Sequence, residues 1–259
     1  MPRTPFRTDP ARETTRILRF IRAVVKKAGA DGVVVGLSGG VDSAAVGALC
    51  VRALGKEKVT AVLMPSKFTA QADIEDAEVL AYTWGARVKK IEISPLADSL
   101  TSAFDFEPGK VPGANVQARI RMVILYYLSN SAGLLVAGTG DKSEIALGFY
   151  TKFGDGGADF LPIAHLYKTQ VRALGRHLGL PEKVVTKPAS PGLWPGHTAA
   201  EELPADYDAL DPLLYYLFEK RLAPRKAASR AGVGVSVARK VAEMHRKTEH
   251  KRSVPPSLA

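Results

Sequence analysis

Between Gly32 and Ser43 the chain reads GVVVGLSGGVDS, and an alanine-rich run, SAAVGALCVRAL, follows to Leu54. No other stretch limits the possible folds so tightly. The β-branched residues are stiff at χ1 and suit a pleated, buried strand, glycine permits a sharp turn, and alanine favours helix. Strand, glycine loop and helix in that order put the loop at a helix N-terminus, where unpaired N–H groups and the helix dipole attract an anion. Gly39 and Gly40 let the main chain approach oxygen atoms, and Ser38 and Ser43 add hydroxyls. Asp42, a carboxylate beside bound phosphates, makes chemical sense with Mg²⁺ between them. No lysine follows, so this is not a Walker A loop, and it is not the G-x-G-x-x-G of dinucleotide readers.

The same unit recurs. VTAVLMP (59–65) precedes DIEDAEVLAYTWG (73–85), ARVKKIEI (86–93) precedes a short helix near 96–104, and a helix over about 115–130 precedes GLLVAG (133–138). Upstream, Asp9-Pro10 reads as an N-cap with proline at N1, and Ile17, Leu18, Ile21, Val24 and Val25 recur at helical spacing to about Ala28. Alternating strands and helices predict a doubly wound, Rossmann-like α/β fold, a parallel sheet with helices on both faces. Residues 148–162, GFYTKFGDGGADFLP, read as an ordered functional loop. The proline-rich 186–206 reads as a mobile lid, and helices resume near 167–178, 207–220 and 235–247. The expectation is one domain over 1–259.

Composition narrows the function classes. No apolar run reaches the roughly 18 residues that span a bilayer, and the opening MPRTPFRTDPARETTR lacks a signal-peptide core, so the expected location is the cytosol, without membrane contact. A single cysteine, Cys50, excludes an intramolecular disulfide and a cysteine-based zinc site; in the helix after the loop it reads as a small core residue. Two Asn and three Gln fit a heat-adapted source or a biased base composition. The net charge of +10 sits at one end: residues 220–252 carry eleven Lys or Arg and two acids, a local +9, so the remainder carries +1. Residues 201–219 carry six acids and no Lys or Arg. Either the basic block is a solvated helical face, or the basic tail (248–259) closes over an anionic ligand.

SGGVDS resembles the pyrophosphate-binding loop (here 36–43) of the ATP pyrophosphatase, or PP-loop, superfamily of adenine nucleotide alpha hydrolase-like enzymes, which cleave ATP to AMP and pyrophosphate while adenylating a substrate. Fold alone does not choose among its members. NVQARIRM (115–122), GTGDKSE (138–144), GFYTKFGDGGADFLPI (148–163) and TEHKR (248–252) are similar in order and spacing to segments of the NAD synthetases. That resemblance implies ATP-dependent amidation of nicotinic acid adenine dinucleotide (deamido-NAD) by ammonia through an acyl-adenylate.

The resemblance also implies roles. Gly36, Leu37, Ser38, Gly39, Gly40, Val41, Asp42, Ser43, Thr139, Lys168 and Ser190 match ATP-contacting positions, Ser190 standing where the family usually has threonine. Asp42 and Glu144, each soon after a strand, match ligands of a shared Mg²⁺. Arg119, Lys152, Asp159, His250 and Lys251 match positions that contact deamido-NAD. Asp155 matches a residue suggested to take a proton from ammonium, although Gly-Asp-Gly-Gly is also ordinary turn chemistry. Lys168 equally suits a helix surface. Relatives are homodimers, for which Tyr126, Tyr127 and Leu128 are candidate seam residues. Glutamine-using relatives carry an N-terminal amidase domain with a catalytic cysteine, for which this chain has no room, so ammonia, free or from a separate amidase, is the expected nitrogen donor. A tRNA-modifying PP-loop enzyme would also explain the charge, but sulfur-inserting members need paired cysteines; no nucleic-acid partner is expected. A non-catalytic ATP-binding module would not need Glu144, Lys152 and Asp159 around one crevice.

Overall fold

The computed structural model describes residues 8–106, 109–190, 192–194, 196 and 198–258. Residues 1–7, Pro191, Pro195, His197 and Ala259, within segments read above from the sequence, lie outside the described residues. In chain order, α1 (Pro10–Ala28) precedes β1 (Gly32–Gly36), α2 (Val41–Leu54) precedes β2 (Val59–Leu63), and α3 (Gln71–Trp84) precedes β3 (Arg87–Lys90). After α4 (Ser94–Thr101) and α5 (Lys110–Ser131) comes β4 (Leu134–Val136), followed by α6 (Lys142–Leu147), α7 (Lys168–His177) and α8 (Glu182–Thr186). The remainder is helical: α9 (Tyr207–Leu214), α10 (Pro224–Ala231), α11 (Val235–Lys247) and α12 (Glu249–Arg252).

The four strands are parallel, in the order β3-β2-β1-β4. Strand periodicity divides the core. Val33 and Val35 face one side with Val59, Ala61 and Leu63, against α1, α2 and α7. Val34, Val62 and Val136 face the other, against Ile124 of α5. Burying an apolar side chain of this size contributes about 1.5–3 kcal/mol. The strands are therefore apolar on both faces, as a doubly covered parallel sheet requires. β3 is the exception: all four residues are exposed, and Arg87, Lys89 and Lys90 keep this edge from pairing with another chain.

α1 begins where the sequence predicts. The Asp9 carboxylate accepts from the N–H groups of Ala11 and Arg12, Pro10 supplies a preset φ, and Gly29 closes the helix in the left-handed region. α5 starts five residues before its expected start, because Pro112 and Gly113 fall in the first turn, where a missing N–H does no harm. The helix expected over 207–220 is α9 followed by a π-helical turn to Glu219, after Pro212 removes one N–H inside the helix. With α10 and α11 it packs a second core around Leu210, Leu213, Leu214, Ala227, Ala238 and Val241. The tail departs from expectation more sharply. Residues 249–252, expected to be a tail beyond the last helix that closes over an anionic ligand, form α12. Among the described residues no helix is long and apolar enough to cross a membrane.

Candidate active site

β1 and β4 are neighbours whose following loops leave in different directions, the switch point where α/β sheets hold ligands. From β1 comes the glycine loop. Gly39 takes a φ of +78°, and a Cβ there would collide with the Asp73 carbonyl, so only glycine can serve. Ser43 Oγ donates to the Gly40 carbonyl at 3.1 Å and accepts from the Ser38 N–H at 3.2 Å, which holds the loop in a closed turn. Gly40 caps α2 without a side chain, so no side-chain oxygen covers the N–H groups of the first turn.

From β4 comes Asp141. Its Oδ1 accepts from the Glu144 N–H at 2.8 Å, and Glu144 reaches back to the Asp141 N–H at 3.2 Å, a capping box that starts α6 and fixes both carboxylates. Lys168, first residue of α7, completes the cluster. Its ammonium donates to Asp42 Oδ2 at 2.6 Å and Glu144 Oε1 at 2.8 Å, and lies 3.1 Å from Asp141 Oδ2. The side chain is 2% exposed. The surface reading of Lys168 is thus corrected: three carboxylates draw it inward. Three carboxylates crowd one ammonium, and burial raises the Asp141 carboxyl well above its ordinary value and pushes Glu144 up to about 6, in both cases against the pull of Lys168. Asp42 Oδ1 is buried without a hydrogen-bond partner, which costs free energy until a donor or cation reaches it, and Asp141 Oδ2 has only the Lys168 ammonium beside it.

The opposite wall is built from α5, the 148–160 loop and α12. Five cations gather there, and each donates to main-chain carbonyls: Arg119 to Lys152 (3.3 Å), Arg121 to Met64 (3.0 Å), Lys152 to His250 (2.6 Å), Lys251 to Gly148 and Tyr150 (2.7 and 2.6 Å), and Arg252 to Ile145 and His245. A carbonyl stabilises a cation without cancelling its charge. Gly148 allows the approach, since a Cβ there would overlap the Thr248 side chain. Burial lowers the pKa of Lys251 and brings the Arg121 guanidinium down to about 10. Asp155 accepts from the Thr151 N–H at 2.8 Å, and its pKa is raised, chiefly by burial. The residue is nevertheless exposed to solvent. Asp159 accepts from Val136 N–H at 2.7 Å and Tyr126 O–H at 3.2 Å, locking the loop to β4.

Asp42, Glu144 and Lys168 therefore meet directly, and Arg119, Lys152, His250 and Lys251 form one connected chain of contacts. Thr139 is half-buried two residues before Asp141, and Ser190 is exposed on the segment read as a lid. That segment is tied down by Lys187 to Asp73 and Asp76 (2.7 and 2.6 Å), by Gln117 to the Leu193 carbonyl (3.0 Å), and by Ala199 to Ala189. Cys50 is fully buried, its thiol pushed up to about 12 by burial. The sequence reading passed over Asp141, although D-x-x-E before an apolar helix is a capping-box signal. It also passed over Arg121.

The sequence profile of the NAD synthase family matches residues 13–255. An NH(3)-dependent NAD(+) synthetase of Hyperthermus butylicus is 50% identical over 242 residues, 93% of this chain and 88% of that protein. Among solved structures, an NMN synthetase from Francisella tularensis superposes with a TM-score of 0.87 at 29% identity, covering 97% of this chain and 99% of that one. An NH3-dependent NAD synthetase from Campylobacter jejuni, in complex with a nitrate ion, gives 0.83 at 33% identity, covering 98% and 100%. Carboxylates at the glycine loop, cations opposite, and likeness over nearly the whole length agree: the chain belongs to the NAD synthase family.

Proposed function

We propose that this chain is an ammonia-dependent ligase that amidates deamido-NAD to NAD, cleaving ATP to AMP and pyrophosphate. The observation that carries the reading is the pairing of a carboxylate-rich cluster at the glycine loop with a cationic cluster at α5 and α12. ATP lies with its phosphates at the N-terminus of α2, contacted by the loop from Gly36 to Ser43, with Thr139, Lys168 and Ser190 as further contacts. Deamido-NAD, with its pyrophosphate bridge and carboxylate, lies toward Arg119, Lys152, His250 and Lys251, and Asp159 faces its hydroxyls or its ring.

Mg²⁺ fits the carboxylate side. The buried Asp42 Oδ1 there lacks a partner, the candidate ligands are hard oxygens, and three carboxylates outnumber one ammonium. Among the described residues no three His, Cys, Asp or Glu side chains form a complete cage, which suits an ion that takes phosphate oxygens and water as its other ligands. Asp42 and Glu144 would hold it, and it would offset charge on the departing pyrophosphate. The substrate carboxylate oxygen attacks the α-phosphorus of ATP, and the bond to the β-phosphate oxygen breaks. Ammonia then attacks the acyl carbon, the bond to AMP breaks, and one proton leaves. The raised pKa of Asp155 supports a role in accepting a proton from ammonium. No protein nucleophile enters.

The reading extends to a cytosolic homodimer. Val111, Val123 and Tyr127 of α5 are exposed beside Leu96 and Leu100 of α4, with a cavity of about 250 Å³ lined by Leu100, Phe104, Phe106, Pro112 and Val116. An apolar surface of this kind suits a self-complementary contact, and sedimentation tests it. The NMN synthetase likeness makes nicotinic acid mononucleotide the competing substrate. Product analysis with ATP, Mg²⁺, ammonium and each nucleotide separates the two: NAD with AMP and pyrophosphate supports the reading, and amidation of the mononucleotide alone overturns it.

A further inference from the structure

The helical lobe sends two buried polar side chains toward the ATP side of the cleft, and the proposed chemistry uses neither. Asp211, in the middle of α9, is 0% exposed. Its Oδ1 accepts from Ser143 Oγ at 2.6 Å and its Oδ2 from the Thr169 N–H at 2.8 Å. Ser143 Oγ in turn accepts from the Lys168 N–H at 2.9 Å. One carboxylate therefore holds the second residue of α6, next to Glu144, and the first two N–H groups of α7, which carries Lys168. A turn earlier on the same face, the Tyr207 ring lies 5.3 Å from the Lys168 ammonium, within cation–π range. Its hydroxyl is buried without a hydrogen-bond partner.

A core needs neither group. A buried carboxylate on a helix whose neighbours are Leu210, Leu213 and Leu214 carries a desolvation penalty that an apolar residue would avoid. What the carboxylate supplies is register: Glu144 and Lys168 sit on separate helices, and Asp211 is the part that bonds to both.

We propose that Asp211 and Tyr207 are positioning residues, which hold Lys168 and Glu144 at the spacing that receives the phosphates of ATP. The assignment rests on the ATP-site reading above and deepens it, by making the helical lobe part of the nucleotide site and not only its support. Asp211→Asn puts an amide NH₂ where an acceptor is needed, opposite either Thr169 N–H or Ser143 Oγ. Ser143→Ala removes the relay to Lys168 and leaves Asp211 in place. Tyr207→Leu keeps an apolar side chain and removes the ring face.

The test is calorimetric titration of Mg·ATP into parent and variants without the second substrate, alongside steady-state kinetics and thermal unfolding. The expected result is a loss of Mg·ATP affinity of about tenfold or more in Asp211→Asn, a smaller loss in Ser143→Ala and Tyr207→Leu, and a KM for deamido-NAD within about twofold of the parent. Should Asp211→Asn fail to fold, the other two variants carry the test. Parent-like Mg·ATP affinity in the variants that fold, or an equal rise in both KM values, overturns the proposal. Failure of the amidation reading is distinguishable, because the parent would then form no NAD while the titrations could still be compared.

Discussion

The two walls of the cleft treat their cations in opposite ways. At the glycine loop one ammonium, Lys168, meets three carboxylates, so its charge is overbalanced and the wall is left negative. Across the cleft, Lys152, Lys251, Arg119 and Arg121 donate to main-chain carbonyls, neutral acceptors that order the side chains and keep the wall positive. On the proposed reading, the difference prepares adjoining sites for a cation-bearing triphosphate and for an anionic dinucleotide. The first wall offers charge that a divalent ion can answer, and the second offers charge that only an anion can.

The largest expected effect comes from Lys168→Met. It strands three carboxylates in a buried cluster and should cost about 3–5 kcal/mol of stability, read by urea unfolding, with Mg²⁺ restoring part of it. A variant as stable as the parent would break the contrast at its source. Asp42→Asn and Glu144→Gln should each remove most turnover, on the order of several kcal/mol in transition-state stabilisation. Both should stay folded, because the cluster has carboxylates to spare around one ammonium. Near-normal turnover at saturating Mg²⁺ would refute the shared-ion assignment. On the other wall, Lys251→Met leaves two carbonyls unpaired and should raise the KM for deamido-NAD by roughly 1.5–3 kcal/mol equivalent, while Mg·ATP binding is unchanged. If both substrates weaken together, the walls are not independent.

Two finer tests remain. Ammonium should support turnover where glutamine does not, because the sole cysteine is buried with its thiol pushed up to about 12 and cannot open an amide; equal rates with both would contradict this. Asp155→Asn sharpens the electrostatics of the cationic wall. The folded-state pKa of Asp155 is raised, so its ionisation lowers stability above that pKa, and the penalty disappears as pH falls below the unfolded value of about 3.9. The variant should therefore melt slightly above the parent at neutral pH, and the gap should close in acid. Solvent at the carboxylate keeps the effect small.

The first wall was the more legible in sequence, for a physical reason. The GVVVG strand, the loop and α2 are contiguous, so periodicity, glycine and alanine propensity all act within about twenty residues. Asp9-Pro10 marked the start of α1 in the same local way. Lys168 could not be read as buried, because what draws it in lies 24 to 126 residues away. Asp211 was hidden among six acids that look like one solvated face. α12 had no local signal, since a four-residue helix ahead of SVPPSLA is held by acceptors on Gly148, Tyr150 and Ile145. For α10 a signal existed and went unused: Pro224 at the start and Gly232 at the left-handed C-cap.

Lys251 and Arg252 reach carbonyls 101 to 107 residues before them in the chain. A ribosome that has released residues up to about 240 has delivered every group of the carboxylate wall but not the clasp that orders the cationic one. Domains generally fold as units, N-terminal parts first during synthesis, and the residues of this clasp are among the last that the ribosome delivers. On the proposed reading, the order of synthesis places the residues of the ATP side ahead of the last residues of the dinucleotide side.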